Sequence, residues 1–181
     1  MTATLRATLA FALLCASLSV AAHPGDAASH GLITGFTHPF EGLDHLLAMV
    51  AVGLWAARAR GWSVWVAPAV FLSGMLAGGF AGIAGLVPPF VEAGVAGSAI
   101  ALCVLVVIGL SPRSLPALAA IALFGAYHGV AHGLEMPEGT TGIAYAGGFL
   151  AATALLHALG VGLGRLAALK TARRGCSGGE V

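Results

Sequence analysis

The residues able to do chemistry in this chain fall in two short runs. The first is His38-Pro39-Phe40-Glu41-Gly42-Leu43-Asp44-His45. The second is Tyr127-His128-Gly129-Val130-Ala131-His132-Gly133-Leu134-Glu135. In the second run His128, His132 and Glu135 stand at i, i+4 and i+7, which stacks them on one face of a helix. Two imidazoles at that spacing can ligate one metal ion. In the first run Pro39 suits an opening helical turn. Helical spacing there predicts Glu41 and His45 on one face, with Asp44 turned about 100° away. Imidazole suits zinc, copper, iron and nickel, and carboxylate suits harder ions. A mixed nitrogen and oxygen set without thiolate therefore predicts a site for a borderline divalent cation: nickel, cobalt, zinc or iron(II).

These groups lie in an apolar chain. Of 181 residues, 59% are apolar and only 8% charged, and the mean hydropathy is +0.96. Soluble domains carry roughly 25% charged residues, so an ordinary soluble globule is excluded. A nucleic-acid binder with a basic face is excluded by the same scarcity of charge. Five apolar stretches near 40–57, 64–85, 92–110, 115–134 and 143–166 each approach the length that crosses a bilayer. Residues 1–22 read as a secretory signal peptide: Arg6, an apolar run, then Val20-Ala21-Ala22 as a small-residue cleavage site. The expectation is an all-α polytopic membrane helix bundle of five mature spans after a cleaved signal. It comprises a transmembrane domain over 23–168 and a cytoplasmic basic tail over 169–181. Cys15, Cys103 and Cys176 have no evident partners, so no disulfide is expected.

Charge placement orients the bundle. With the mature N-terminus outside, Arg58, Arg60, Arg113, Arg165, Lys170, Arg173 and Arg174 all fall on the cytoplasmic side, as the positive-inside rule requires. Asp26, Glu92, Glu135 and Glu138 fall outside. Small residues four apart mark close-packing faces: Gly74, Gly78 and Gly82 in the second span, Gly125, Gly129 and Gly133 in the fourth, and Ala93, Gly97 and Ala101 in the third. The first span runs inward from its cluster and the fourth runs outward to its own. Both clusters are thus predicted in the outer half of the membrane, where ionisable residues are functional candidates. His157 is expected near mid-depth in the fifth span, either a next station or a hydrogen-bonded core residue. Glu92 is expected at the outer rim, where it could attract cations.

The two runs together carry a resemblance. His38-Pro39-x-x-Gly42-x-Asp44-His45 with Tyr127-His128-Gly129-x-Ala131-His132-Gly133-x-Glu135 resembles the HupE/UreJ family of small bacterial inner-membrane proteins. The resemblance extends over essentially the whole chain. Tyr127 departs from the family's usual Phe at that place. The resemblance implies uptake of nickel or cobalt for hydrogenase or urease, whose maturation proteins become candidate partners. It also implies that His38, Asp44, His45, His128, His132 and Glu135 carry transport. Glu92 and Phe71 carry over only by approximate position, and Glu41 and His157 are secondary candidates from the residues themselves.

A secondary permease is the function expected. The chain has no phosphate-binding Gly-x-x-x-x-Gly-Lys-Ser/Thr loop, no organic cofactor is expected, and no enzymatic activity. Neutral imidazoles are required, so acidification below about 6.5 is expected to suppress transport. The alternative is an intramembrane hydrolase in which histidines hold zinc and Asp44 or Glu135 activates water. Haem held by paired histidines, or a subunit that only assists a partner, are further readings.

Overall fold

The computed structural model describes residues 27–108, 114–136 and 142–177. The expected signal peptide with its cleavage site, Asp26, Arg113 and Glu138 lie outside the described residues. Six helices make up the described chain: α1 Ala27–Thr37, α2 Leu43–Ala56, α3 Val66–Ile83, α4 Val91–Ile108, α5 Leu115–Leu134 and α6 Gly142–Ser177. Short 3-10 turns at His38–Phe40 and Gly61–Trp65 precede α2 and α3. The architecture is an all-α polytopic membrane bundle. Four helices are long and apolar enough to cross a membrane, and α2, at 14 residues, is a shorter apolar helix.

Helix starts follow local chemistry. Pro39 opens its own 3-10 turn. Gly42 then takes an extended backbone, with φ −107° and ψ 123°, and α2 begins at Leu43. This corrects the expectation that Pro39 opens the first span and that Glu41 shares a helical face with His45. The extended residue breaks the 3.6-residue register, so Glu41 lies off the helix. α5 occupies the predicted 115–134, with Pro116 harmless in the first turn, where its missing N–H has no partner to lose. α6 passes the predicted end at 166 and runs to Ser177. Its 36 residues make a rod of about 54 Å, well beyond the roughly 30 Å of hydrocarbon. The start of the expected basic tail is thus a helical continuation.

Glycines set the packing. A Cβ at Gly74 or Gly78 would lie 2.2 or 2.1 Å from the carbonyl oxygens of Ala122 and Ala126. Reciprocally, one at Gly125 or Gly129 would lie 2.2 or 2.0 Å from those of Phe71 and Met75. α3 and α5 therefore run parallel, backbone against backbone, as their small-residue spacing predicted. The third expected stripe fails. Gly97 has nothing within 4 Å, and α4 is held instead by α2 and α5.

α2 and α6 also run parallel, with Gly53 on the His157 carbonyl and Gly160 on that of Val50. Arg58 donates to the Leu105 and Val106 carbonyls, so α2 and α4 end on the same side of the bundle. A cation at these carbonyls satisfies groups that the helix itself leaves open.

Sequence reading missed α1. It packs on the first half of α6, Gly35 against Tyr145 and Gly148 against Leu32. Its 11 residues are too few for a span, and Gly35 is explained by this contact. The buried core runs along α2 and across α3 and α6 through Met49, Val52, Trp55, Phe71, Met75 and Leu156.

Candidate metal centre

Three chain segments bring their polar residues to one end of the bundle: the turn into α2, the end of α5 and the start of α6. Because α2 starts where α5 ends, the two sequence clusters meet. The ring centroids of His45 and His132 are 4.5 Å apart, and those of His45 and His128 are 4.8 Å apart. His38 closes on His132 at 4.8 Å. His128 and His132 are buried, at 0% and 3% exposure. The four imidazoles form a continuous line from His38 at the rim, through His132 and His45, to His128.

Hydrogen bonds fix which nitrogen of two rings is bare. Asp44 Oδ1 accepts from the backbone N–H of His45 and lies 2.8 Å from that residue's ring Nδ1. A carboxylate only accepts, so Nδ1 carries a proton, and in the neutral ring Nε2 keeps its lone pair. That Nε2 is buried and has no hydrogen-bond partner. A carboxylate behind a histidine in this way orients the ring and raises its basicity as a ligand. Gly42 makes room for the pair. A Cβ there would fall 2.9 Å from His45 Nδ1 and 3.0 Å from Asp44 Oδ1.

His128 is set from the other side. Ser98 Oγ donates its one hydrogen to the Val95 carbonyl at 2.7 Å. It lies 2.8 Å from His128 Nε2 and must accept there. Nδ1 of His128 is then bare, and it is buried without a partner. Both ring nitrogens of His132 are also buried without partners. Each such group costs about 1–3 kcal/mol if nothing ever binds it. The cost is concentrated on one small group of facing rings.

At the rim, His38 Nε2 is 2.9 Å from Glu135 Oε2, and its Nδ1 is 3.5 Å from Glu41 Oε2. The hydrogen bond to Glu135 raises the His38 pKa above its ordinary value, against partial burial. The same bond holds Glu135 below the usual carboxylate value. Ligand atoms of His38, His132 and Glu135 all lie within 4.8 Å of one another, close enough for one ion to draw them together.

The candidate residues distribute as follows. His38, Asp44, His45, His128, His132 and Glu135 form one connected group, with Glu41 on its exposed edge. Glu92 is exposed in the first turn of α4, and no described contact joins it to the group. Phe71 is fully buried and touches His128, with centroids 5.6 Å apart. It offers no ligand atom. His157 lies beyond Phe71. Sequence reading missed Ser98, Tyr145 and Phe149. Tyr145 stands 6.0 Å from His38 and Phe149 3.8 Å from His132, centroid to centroid. The signal for the last two was present: Tyr145, Phe149, Thr153 and His157 recur every four residues on the buried face of α6. Ser98 was a lone hydroxyl in an apolar helix, with no spacing to single it out.

A family described as HupE / UreJ protein matches residues 11–179. Protein HupE of Rhizobium leguminosarum bv. viciae is 38% identical over 162 residues, covering 86% of this chain and 85% of that protein. Among solved structures, none matches. An apolar helical bundle, two histidine runs converging at one end, and a match over nearly the full length lead to one assignment: the chain is a membrane protein of the HupE/UreJ family.

Proposed function

We propose that this protein is a secondary permease that takes a divalent transition-metal cation, nickel first and cobalt next, inward across the bacterial inner membrane to supply hydrogenase or urease. The observation that carries the reading is the line of imidazoles with bare, buried nitrogens on His45, His128 and His132, ending at the carboxylates of Glu135 and Glu41. The cation is cargo, and the chain has no enzymatic activity in this reading. Family membership supports it, and so does the donor set, which suits borderline metals over magnesium or calcium.

The proposed topology has five crossings after a cleaved signal, α2 through α6, with the mature N-terminus periplasmic and the C-terminus cytoplasmic. Arg58, Arg60, Arg165 and Lys170 then lie inside. Cations gather at Glu135 and Glu41, where His38 must release Glu135 for an ion to enter. His132, His45 and His128 then replace water molecules on the ion, and Asp44 and Ser98 hold two of those rings in place. An inside-negative potential supplies about 4.6 kcal/mol per 100 mV for a doubly charged ion, enough for entry without a coupled ion. Weak, successive ligands let the ion move on.

The test is potential-driven uptake of radioactive nickel into proteoliposomes holding the purified protein. Wild type accumulates nickel, and His45→Ala and His132→Ala do not. Equal accumulation by all three overturns the reading.

A further inference from the structure

Below His128 the polar path does not stop. Phe71 lies between two imidazoles. Its ring is 5.6 Å from His128 on one side and 5.3 Å from His157 on the other, the latter edge-on at 89°. His157 is completely buried, and neither ring nitrogen has a hydrogen-bond partner. One turn earlier on α6, Thr153 is also fully buried, and its Oγ1 lies 3.9 Å from Met75 Sδ. Met75 is one turn beyond Phe71 on α3. Two antiparallel pairs therefore face each other, Phe71 and Met75 against His157 and Thr153. The α2 backbone closes one side, with Gly53 against the His157 carbonyl.

An imidazole with no partner is the wrong residue for a site that only needs filling. Leucine would occupy that volume without leaving two polar atoms unsatisfied. The neighbouring donors are a thioether and a hydroxyl, both weak ligands. Sulfur and imidazole together favour a borderline or soft cation over a hard one. Resting on the permease reading, we propose that His157 is a second, deeper cation station, with Met75 and Thr153 as auxiliary donors. The Phe71 ring is the movable partition between this station and the outer imidazoles. A partition between two weak stations lets an ion leave the first without returning to bulk water.

The test uses purified full-length protein. Nickel binding is counted by calorimetry, and nickel flux is read in proteoliposomes under an inside-negative potential. Wild type binds two ions. His157→Leu binds one, and its flux falls about tenfold or more. Its melting temperature stays level or rises, because a buried unsatisfied ring has been replaced by an apolar one. Met75→Leu conserves volume and weakens only the second binding event. It also keeps the test open should His157→Leu fail to assemble. Two ions and full flux in the folded His157→Leu variant overturn the inference, as does an unchanged second binding event in Met75→Leu. Wild type that binds two ions but moves none refutes the permease reading alone, and the loss of one ion in His157→Leu still identifies the station.

Discussion

Gly129 stands between His128 and His132 on α5, and replacing it with alanine tests whether backbone contact between helices holds the rings in place. A Cβ there would sit 2.0 Å from the Met75 carbonyl oxygen, 2.7 Å from the Met75 carbonyl carbon and 2.8 Å from the Gly79 nitrogen. All three atoms are backbone, so no side chain can rotate away. The α3–α5 interface must open by about 1 Å or more before the new methyl reaches ordinary contact. A gap of that size forfeits about a quarter to a half of each dispersion contact along the pair, and such contacts are the main adhesion between membrane helices. The expected cost is that of overpacking, about 1–3 kcal/mol, or a fall of about 2–12 °C in melting temperature for a chain of this size. The rings of His128 and His132 move with α5. Sites of this kind tolerate only about 0.5 Å of displacement, so nickel uptake should fall at least about tenfold. Gly97→Ala is the control, because nothing lies within 4 Å of the added carbon. Thermal melting in detergent and proteoliposome uptake read both variants. If Gly129→Ala melts and transports like Gly97→Ala, close helix approach does not position the site.

Asp44→Asn should lower nickel affinity about 10- to 100-fold while leaving the protein folded, since it weakens the group that orients His45; calorimetric titration reads this. The pH dependence follows from the rim pair. The raised His38 pKa means its ion pair is fully present below 6.5 and is lost as pH rises through the higher folded value. The lowered Glu135 pKa means its share is present above 4.5 and is lost as pH falls through the lower folded value. The pair therefore persists from below 4.5 to above 6.5 and competes with the cation throughout. Glu41, His132, His45 and Tyr145 also face His38. Uptake should consequently rise with a midpoint above 6.5, and Glu135→Gln should move that midpoint downward; an unmoved midpoint rules out His38 as the titrating group. For the topology, a C-terminal green fluorescent protein fusion should fluoresce and a C-terminal alkaline phosphatase fusion should be inactive. The opposite pair of results inverts the bundle.

Much of this protein follows from its residues taken in order. Apolar runs of membrane-crossing length dictate helices, because a bilayer offers backbone groups no other partners. Pro116 and the polar breaks therefore place α5 at Leu115–Leu134 directly. Glycines four apart predicted a tight α3–α5 pair because that spacing repeats on one face. The same spacing misled at Gly97, since a stripe of small residues does not say whether a partner lies against it. Alternation of the spans implied that the His38–His45 and His128–Glu135 runs share one end, which needs only direction and length.

What remained for the tertiary structure was everything decided by contacts between distant segments. The extended Gly42 takes Glu41 off α2 and turns it toward His38. Ser98, thirty residues from His128, selects which nitrogen of that ring is bare. α1 gains its place through contact with α6 at Tyr145 and Gly148. Periodicity reports which side of a helix a residue occupies. The proton on a ring nitrogen, and the group that faces it, depend on helices whose angular setting about their axes no single stretch of sequence records.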